Sequence, residues 1–459
     1  MSTLAVPQTD ARLRFPADFW WGASTAAYQI EGSVDADGRA PSIWDTFAGV
    51  PGRIENGDTG RTACDHYLRY ADDVRLMAEL GLTAYRFSVA WPRVVPDPDG
   101  RPDPRGLDFY DRLVDELLAA GIRPTATLYH WDLPQAIEDR GGWAVRETAS
   151  RFSEYAVAVA NRLGDRVAMW NTLNEPWCSA FLGYGAGIHA PGRTSYADAL
   201  AAVHHLLLAH GRAAEILRAH CPSAQVSIAL NAGTVRPATD TAADRAAARM
   251  IDGMLNRIFL DPLLRGSYPR DVIDDTAWVS DWSFVQDGDL AEISQPVDAI
   301  GVNYYQPDVV AAGAGPLLPY PTQGRVSWQP LEGPVTGMGW AVDPSGLHEM
   351  LVRITRDYGS IPLYVTENGA AFDDSVTSGR VHDPARIAYL KAHFSAAHRA
   401  LADGVDLRGY FVWSLLDNFE WAFGYGKRFG LIRVDYDSQE RTPKDSAFWY
   451  RDVIAAGGF

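Results

Sequence analysis

Three cysteines and three lysines in 459 residues are the two shortages that stand out. Cys64, Cys178 and Cys221 are far apart and odd in number, which argues against a disulfide framework and against a thiolate metal cluster. They read as small apolar packing groups. Lysine is confined to Lys391, Lys427 and Lys444, and arginine carries most of the positive charge. The 41 Lys+Arg stand against 58 Asp+Glu, for a formal charge of −17. That balance disfavours nucleic-acid phosphates and anionic membranes as partners. There is no apolar run of about 18 residues, as a membrane span would need. Met1 to Arg14 lacks the basic start and apolar stretch of a signal peptide, so a cytoplasmic protein is expected. Low-complexity segments and short repeats are absent too.

What is abundant is aromatic. Phe, Trp and Tyr make 11 % of the chain, with 15 Trp. Indoles in that number fill cores and also make flat platforms on which sugars stack.

Strand-like and helix-like patterns alternate from end to end. Strands are predicted at Phe19–Ser24, Thr83–Val89, Pro124–Trp131, Val167–Asn174, Gln225–Leu230, Ala299–Tyr305, Leu363–Thr366 and Leu407–Ser414. Helices are predicted between them, the first at Ala71–Leu80. The clearest carries Tyr110, Leu113, Val114, Leu117 and Leu118 at i, i+3, i+4, i+7 and i+8, with Gly121 placed as its cap. Others are expected at Thr148–Arg162, from Ser195 (capped with Asp198) to His220, and around Ala243–Leu260, Pro344–Tyr358, Pro384–Ala402 and Ser446–Ala455. Gln306–Gly339, rich in Pro and Gly, reads as a long loop. Eight strand–helix units without a linker predict one α/β domain, a (β/α)8 TIM barrel over residues 15–459, behind a flexible segment of residues 1–14.

The stretch Tyr364-Val365-Thr366-Glu367-Asn368-Gly369 is an apolar strand that ends in a carboxylate. Val167 to Glu175 has the same form. A lone buried charge is costly, so each Glu should face a partner or a ligand. Barrel active sites lie at the C-terminal ends of the strands. Arg86, His130, Asn174, Glu175, Asn303, Tyr305, Glu367 and Trp413 all fall at or near such ends. Two strands ending in Glu make a candidate acid/base and nucleophile pair.

Four stretches together resemble glycoside hydrolase family 1, the β-glucosidase family, over nearly all of Phe15 to Trp449. Phe19-Trp20-Trp21-Gly22 through Glu31-Gly32 is similar to its N-terminal signature. Thr172-Leu173-Asn174-Glu175-Pro176 resembles its acid/base motif, and Tyr364 to Gly369 its nucleophile motif. Trp413 to Trp421 resembles its sugar-binding motif. The resemblance implies a retaining β-glucosidase acting on cello-oligosaccharides or aryl β-glucosides, with possible galactosidase, fucosidase and transglycosylation side activities. It implies Glu367 as nucleophile, Glu175 as acid/base, and Arg86 and Tyr305 beside Glu367. Gln29, His130, Trp131, Asn174, Glu420 and Trp421 are implied to hold the sugar's hydroxyls. Trp413 would stack on the sugar, Phe429 line its outer side and Asn303 orient neighbours. Trp340 and Trp177 would face the aglycone. A small-molecule β-glucoside is the expected partner, and no metal or organic cofactor is expected. Two other readings of the same motifs are a 6-phospho-β-glycosidase and a non-catalytic sugar-binding protein. An anionic Glu420 would repel the phosphate of the first. The second typically lacks one of the two carboxylates, and both are present here.

Overall fold

The computed structural model describes residues 13–97 and 99–459. Its centre is a closed barrel of eight parallel strands in chain order. They are β1 Trp20–Ser24, β2 Ala84–Ser88, β3 Arg123–Tyr129, β4 Met169–Asn174, β5 Gln225–Asn231, β6 Ala299–Asn303, β7 Leu363–Asn368 and β8 Leu407–Trp413. Closure runs from Trp20 opposite Gly409 to Ser24 opposite Trp413. The expected (β/α)8 architecture is the observed one.

A principal helix follows each strand. These are α1 His66–Glu79, α2 Pro104–Ala119, α3 Glu147–Leu163, α4 Tyr196–His220, α5 Ala242–Asp252, α6 Pro344–Tyr358, α7 Pro384–Ala402 and α8 Asp445–Ala456. In α2, Tyr110, Leu113, Val114 and Leu117 are buried as their spacing requires, but Leu118 is exposed. Eight residues at about 100° each leave it some 80° from Tyr110, at the edge of the stripe. Gly121 has φ +74° and ends the helix, with its N–H on the Leu118 carbonyl and that of Ile122 on Leu117. The side chain of Ser195 caps α4 through the Asp198 N–H at 3.2 Å.

Two expectations need correction. Helix α1 begins at His66, five residues before the predicted start. His66 Nδ1 bonds the buried Asp73 carboxylate at 2.7 Å, a contact with no hydrophobic periodicity to announce it. The 306–339 segment is not all loop. It holds strands Asp308–Ala312 and Val326–Trp328, which join Val235–Pro237 in a small sheet. Its β-branched pairs are too short to stand out among the prolines and glycines.

A plug of Ala84, Met169, Ala299, Tyr364 and Phe411, with Trp20 against it, is contributed by six different strands. Only the barrel interior brings six strands together. Leu13 and Arg14 pair with the C-terminal residues: the Leu13 N–H donates to the Phe459 carbonyl at 2.9 Å, and the Phe459 N–H returns the bond at 3.1 Å. Residues 1–12 of the expected N-terminal segment lie outside the described residues.

Candidate active site

Irregularities in the strand ladder occur where the two carboxylates leave the barrel. Pairing of β4 with β5 shifts between Asn171 and Asn174, and that of β7 with β6 between Val365 and Glu367. Such bulges re-aim the side chains that follow. Glu175 itself has φ +44°, an uncommon conformation for a residue with a Cβ, and its N–H is held by the Ala229 carbonyl at 2.8 Å. Trp131 and Trp421 also have positive φ, at +76° and +48°.

The carboxyls of Glu175 and Glu367 are both buried and belong to one hydrogen-bond chain. Arg86 Nη1 donates to Glu367 Oε1 at 2.6 Å, and Nη2 to Asn174 Oδ1 at 2.5 Å. Asn303 Nδ2 donates to Asn174 Oδ1 at 3.0 Å and to Glu175 Oε1 at 2.7 Å. Tyr305 donates its hydroxyl to Glu367 Oε2 at 2.8 Å. Thr366 Oγ1 fixes the Asn303 amide by donating to its Oδ1 at 2.6 Å.

Charge separates the two. Burial, and then the charge of Glu367, push the Glu175 carboxyl up to about 7. Burial raises Glu367 as well, but the Arg86 guanidinium and the Tyr305 hydroxyl oppose the rise. Glu175, with no cation in direct contact, is the group of the pair that keeps a proton. Tyr305 is itself pushed well up by burial and by Glu367, so it stays a donor.

A cavity of about 430 Å³ opens over this pair. Trp131, Trp340, Trp413, Glu420, Trp421 and Phe429 line it beside the two carboxyls. Trp177, Asn303 and Tyr305 line it as well. Gln29, His130, Asn174 and Arg86 stand behind that lining and are fully buried. Gln29 Nε2 is used by Asn418 and the Phe419 carbonyl, while its buried Oε1 has no partner. Asn174 Nδ2 faces His130 Nε2 at 3.0 Å, which leaves its second N–H free. His130 is kept neutral by burial and by Arg86, and its Nδ1 has no partner. Trp131 differs from the hydroxyl-holding role expected of it. Its indole N–H is taken by the Asn174 carbonyl at 2.9 Å, so it offers the cavity a ring and no donor.

Glu420 corrects a charge argument. Burial, and then the charge of Glu367, push it up to about 8, so at neutral pH its protonated form prevails and it is a weak repelling anion. What disfavours a phosphate is that no Lys or Arg lines the cavity among the described residues. The Glu420 loop is anchored from below: Asp417 accepts from Lys444 Nζ at 2.7 Å, Arg428 Nη1 at 2.7 Å and the Gly430 N–H at 2.9 Å.

Sequence reasoning missed several neighbours. Cys178, taken as a packing group, points its Sγ at Glu175 Oε2, 3.1 Å away. Asn231 closes β5 and lines the cavity, and its place at a strand end was the available signal. Tyr320, Trp328 and Asp308 come from the segment read as loop, where no strand end marked them.

A parallel (β/α)8 barrel with two buried, unlike carboxyls and an indole-lined cavity at its C-terminal mouth is the build of a glycoside hydrolase. The model of a family described as "Glycosyl hydrolase family 1" matches residues 11–459. The chain is 51 % identical to a bifunctional beta-D-glucosidase/beta-D-fucosidase of Bifidobacterium breve, over 96 % of this chain and 98 % of that protein. It is 53 % identical to the thermostable beta-glucosidase B of Thermobispora bispora, over 97 % and 92 %. The solved family 1 b-glucosidase of Thermotoga maritima superposes with a TM-score of 0.93 at 45 % identity, covering 98 % of this chain and 100 % of the other. The chain belongs to glycosyl hydrolase family 1.

Proposed function

We propose that the protein is a retaining β-glucosidase that releases terminal β-D-glucosyl residues from cello-oligosaccharides or aryl β-glucosides. The observation that carries this is the unlike pair: Glu367 bonded to Arg86 and Tyr305, and Glu175 without a cation and raised to about 7. Retaining glycosidases hold two such carboxyls about 5–5.5 Å apart, too close for a water to stand between them.

Glu367 attacks the anomeric carbon, and the glycosidic C–O bond breaks as a glycosyl ester forms. Glu175 gives its proton to the leaving oxygen. Once Glu367 is esterified its charge is gone, one cause of the raised Glu175 pKa disappears, and Glu175 becomes a better base. It then takes a proton from the incoming water, which hydrolyses the ester with net retention. The free Asn174 N–H faces the 2-hydroxyl, where hydrogen bonds strengthen in the transition state. Gln29 Oε1, Glu420 and Trp421 hold the outer hydroxyls, and Trp413 stacks on the ring.

The Bifidobacterium breve relative's name makes β-D-fucosides the first side substrate to try. A role in the last step of cellulose breakdown follows from cello-oligosaccharides as substrates. A cytoplasmic setting accords with three free, buried thiols. No helix among the described residues is long and apolar enough to cross a membrane.

The test is kcat/KM on aryl β-glucoside, aryl β-galactoside and 6-phosphorylated aryl β-glucoside without added metal. Turnover of the glucoside with none of the phosphorylated substrate is expected. Turnover of the phosphorylated substrate alone would replace the reading with a phospho-glycosidase. Turnover of none of the three would favour a binding protein.

A further inference from the structure

The cavity holds a further carboxylate that the mechanism does not use. Asp308 opens the strand Asp308–Ala312 and lines the cavity. Its backbone N–H is engaged by the Thr234 carbonyl at 2.8 Å. Among the described residues its carboxylate faces the Trp328 side chain, and no cation pairs with it. Burial raises it to about 6, and the Trp328 bond only partly offsets that.

Its position is defined by a row of rings. Trp177, two residues from Glu175, lies 5.6 Å from the Tyr320 ring, and Tyr320 lies parallel to Trp328 at 6.0 Å and 5°. Asp308, against Trp328, stands at the end of that row, on the same cavity as the two glutamates. Asn231 lines the same cavity and its side-chain amide has no hydrogen-bond partner among the described residues. A flat phenolic aglycone needs only the rings. A half-buried carboxylate beside them costs free energy unless a ligand brings donors to it. A sugar brings both, an apolar C–H face for the rings and a rim of hydroxyls.

We propose that Asp308, supported by Asn231, is a specificity-determining residue that accepts hydrogen bonds from the hydroxyls of a second sugar, so that the enzyme favours glucosyl-sugars over flat aryl glucosides. This rests on the β-glucosidase reading above.

The test compares kcat/KM on cellobiose and on phenyl β-glucoside for the wild type, Asp308→Asn and Asp308→Ala. Both variants are expected to lose at least about ten-fold on cellobiose, chiefly through KM, while phenyl glucoside changes less than about two-fold. Equal changes on the two substrates, or an unchanged cellobiose value, overturn the proposal. If the Asp308 variants do not fold, Asn231→Ala reads the same contact: a cellobiose-selective loss supports it and an equal change overturns it. A wild type inactive on both substrates defeats the β-glucosidase reading instead. A wild type active on both, with variants that do not discriminate, defeats only this inference.

Discussion

Two glutamates of identical chemistry are given unlike surroundings by what touches them. Glu367 has a guanidinium and a phenol; Glu175 has a carboxamide and a thiol. In the proposed mechanism Glu175 carries the proton that assists the leaving group, so kcat/KM should fall as pH rises through about 7. Glu175→Gln should abolish that alkaline limb and slow alkyl glucosides far more than activated aryl glucosides. A limb that persists in the variant would assign it to another group. Glu367→Ala should lose at least about 10⁴-fold in kcat, and added azide should restore turnover with an inverted glycosyl azide product. Product with retained configuration would sink the nucleophile assignment. Both glutamates stood out in the sequence because each closes a strand-like run, and the fold brings both to one cavity. The two hydrogen bonds that Asn303 donates to Asn174 and Glu175 did not, since they join the end of β6 to the end of β4 across 129 and 128 positions of chain.

At the scale of elements, the bulges in β4 and β7 do what the strand pattern alone cannot: they turn a side chain at the end of a regular ladder into the cavity. The join between β7 and β8 is equally tight. A Cβ on Gly369 would lie 1.7 Å from the Trp413 carbonyl oxygen, which is backbone and has no rotamer to escape into. Gly369→Ala should therefore part the ends of β7 and β8, costing about 1–3 kcal/mol of stability. It should also lower kcat, because Glu367 and Trp413 flank the contact. Thermal unfolding and steady-state kinetics on the same sample check both. A stable, fully active variant would show that this approach is not needed. Helix α2 and the caps at Gly121 and Ser195 were readable from periodicity and cap chemistry. The sheet formed by Val235–Pro237, Asp308–Ala312 and Val326–Trp328 was not, because strands of three to five residues give too little pattern among prolines and glycines.

For the whole molecule, the barrel closes β1 on β8, and the first described residues ahead of β1 close on the C-terminal residues after α8. Three backbone bonds link Leu13 and Phe15 to Gly457 and Phe459. Phe459 also packs its ring on Trp449, with centroids 5.8 Å apart. Deleting residues 457–459 should lower Tm by several degrees and leave kcat/KM near its wild-type value, since net hydrogen bonds contribute about 1 kcal/mol each. A loss of activity at temperatures well below the new Tm would mean that the closure reaches the site.

The order of strands and helices, the barrel, and the placing of two glutamates at strand ends were set by local pattern: apolar runs, their periods, and polar residues at their ends. Such signals act over a few residues and survive without knowledge of what lies across the fold. The protonation of Glu175 and Glu420, the use of the Trp131 indole N–H, and the placing of Asp308 beside Tyr320 and Trp328 were decided by tertiary structure alone. Burial and the approach of distant charges depend on which segments meet, and that is fixed only when the barrel closes.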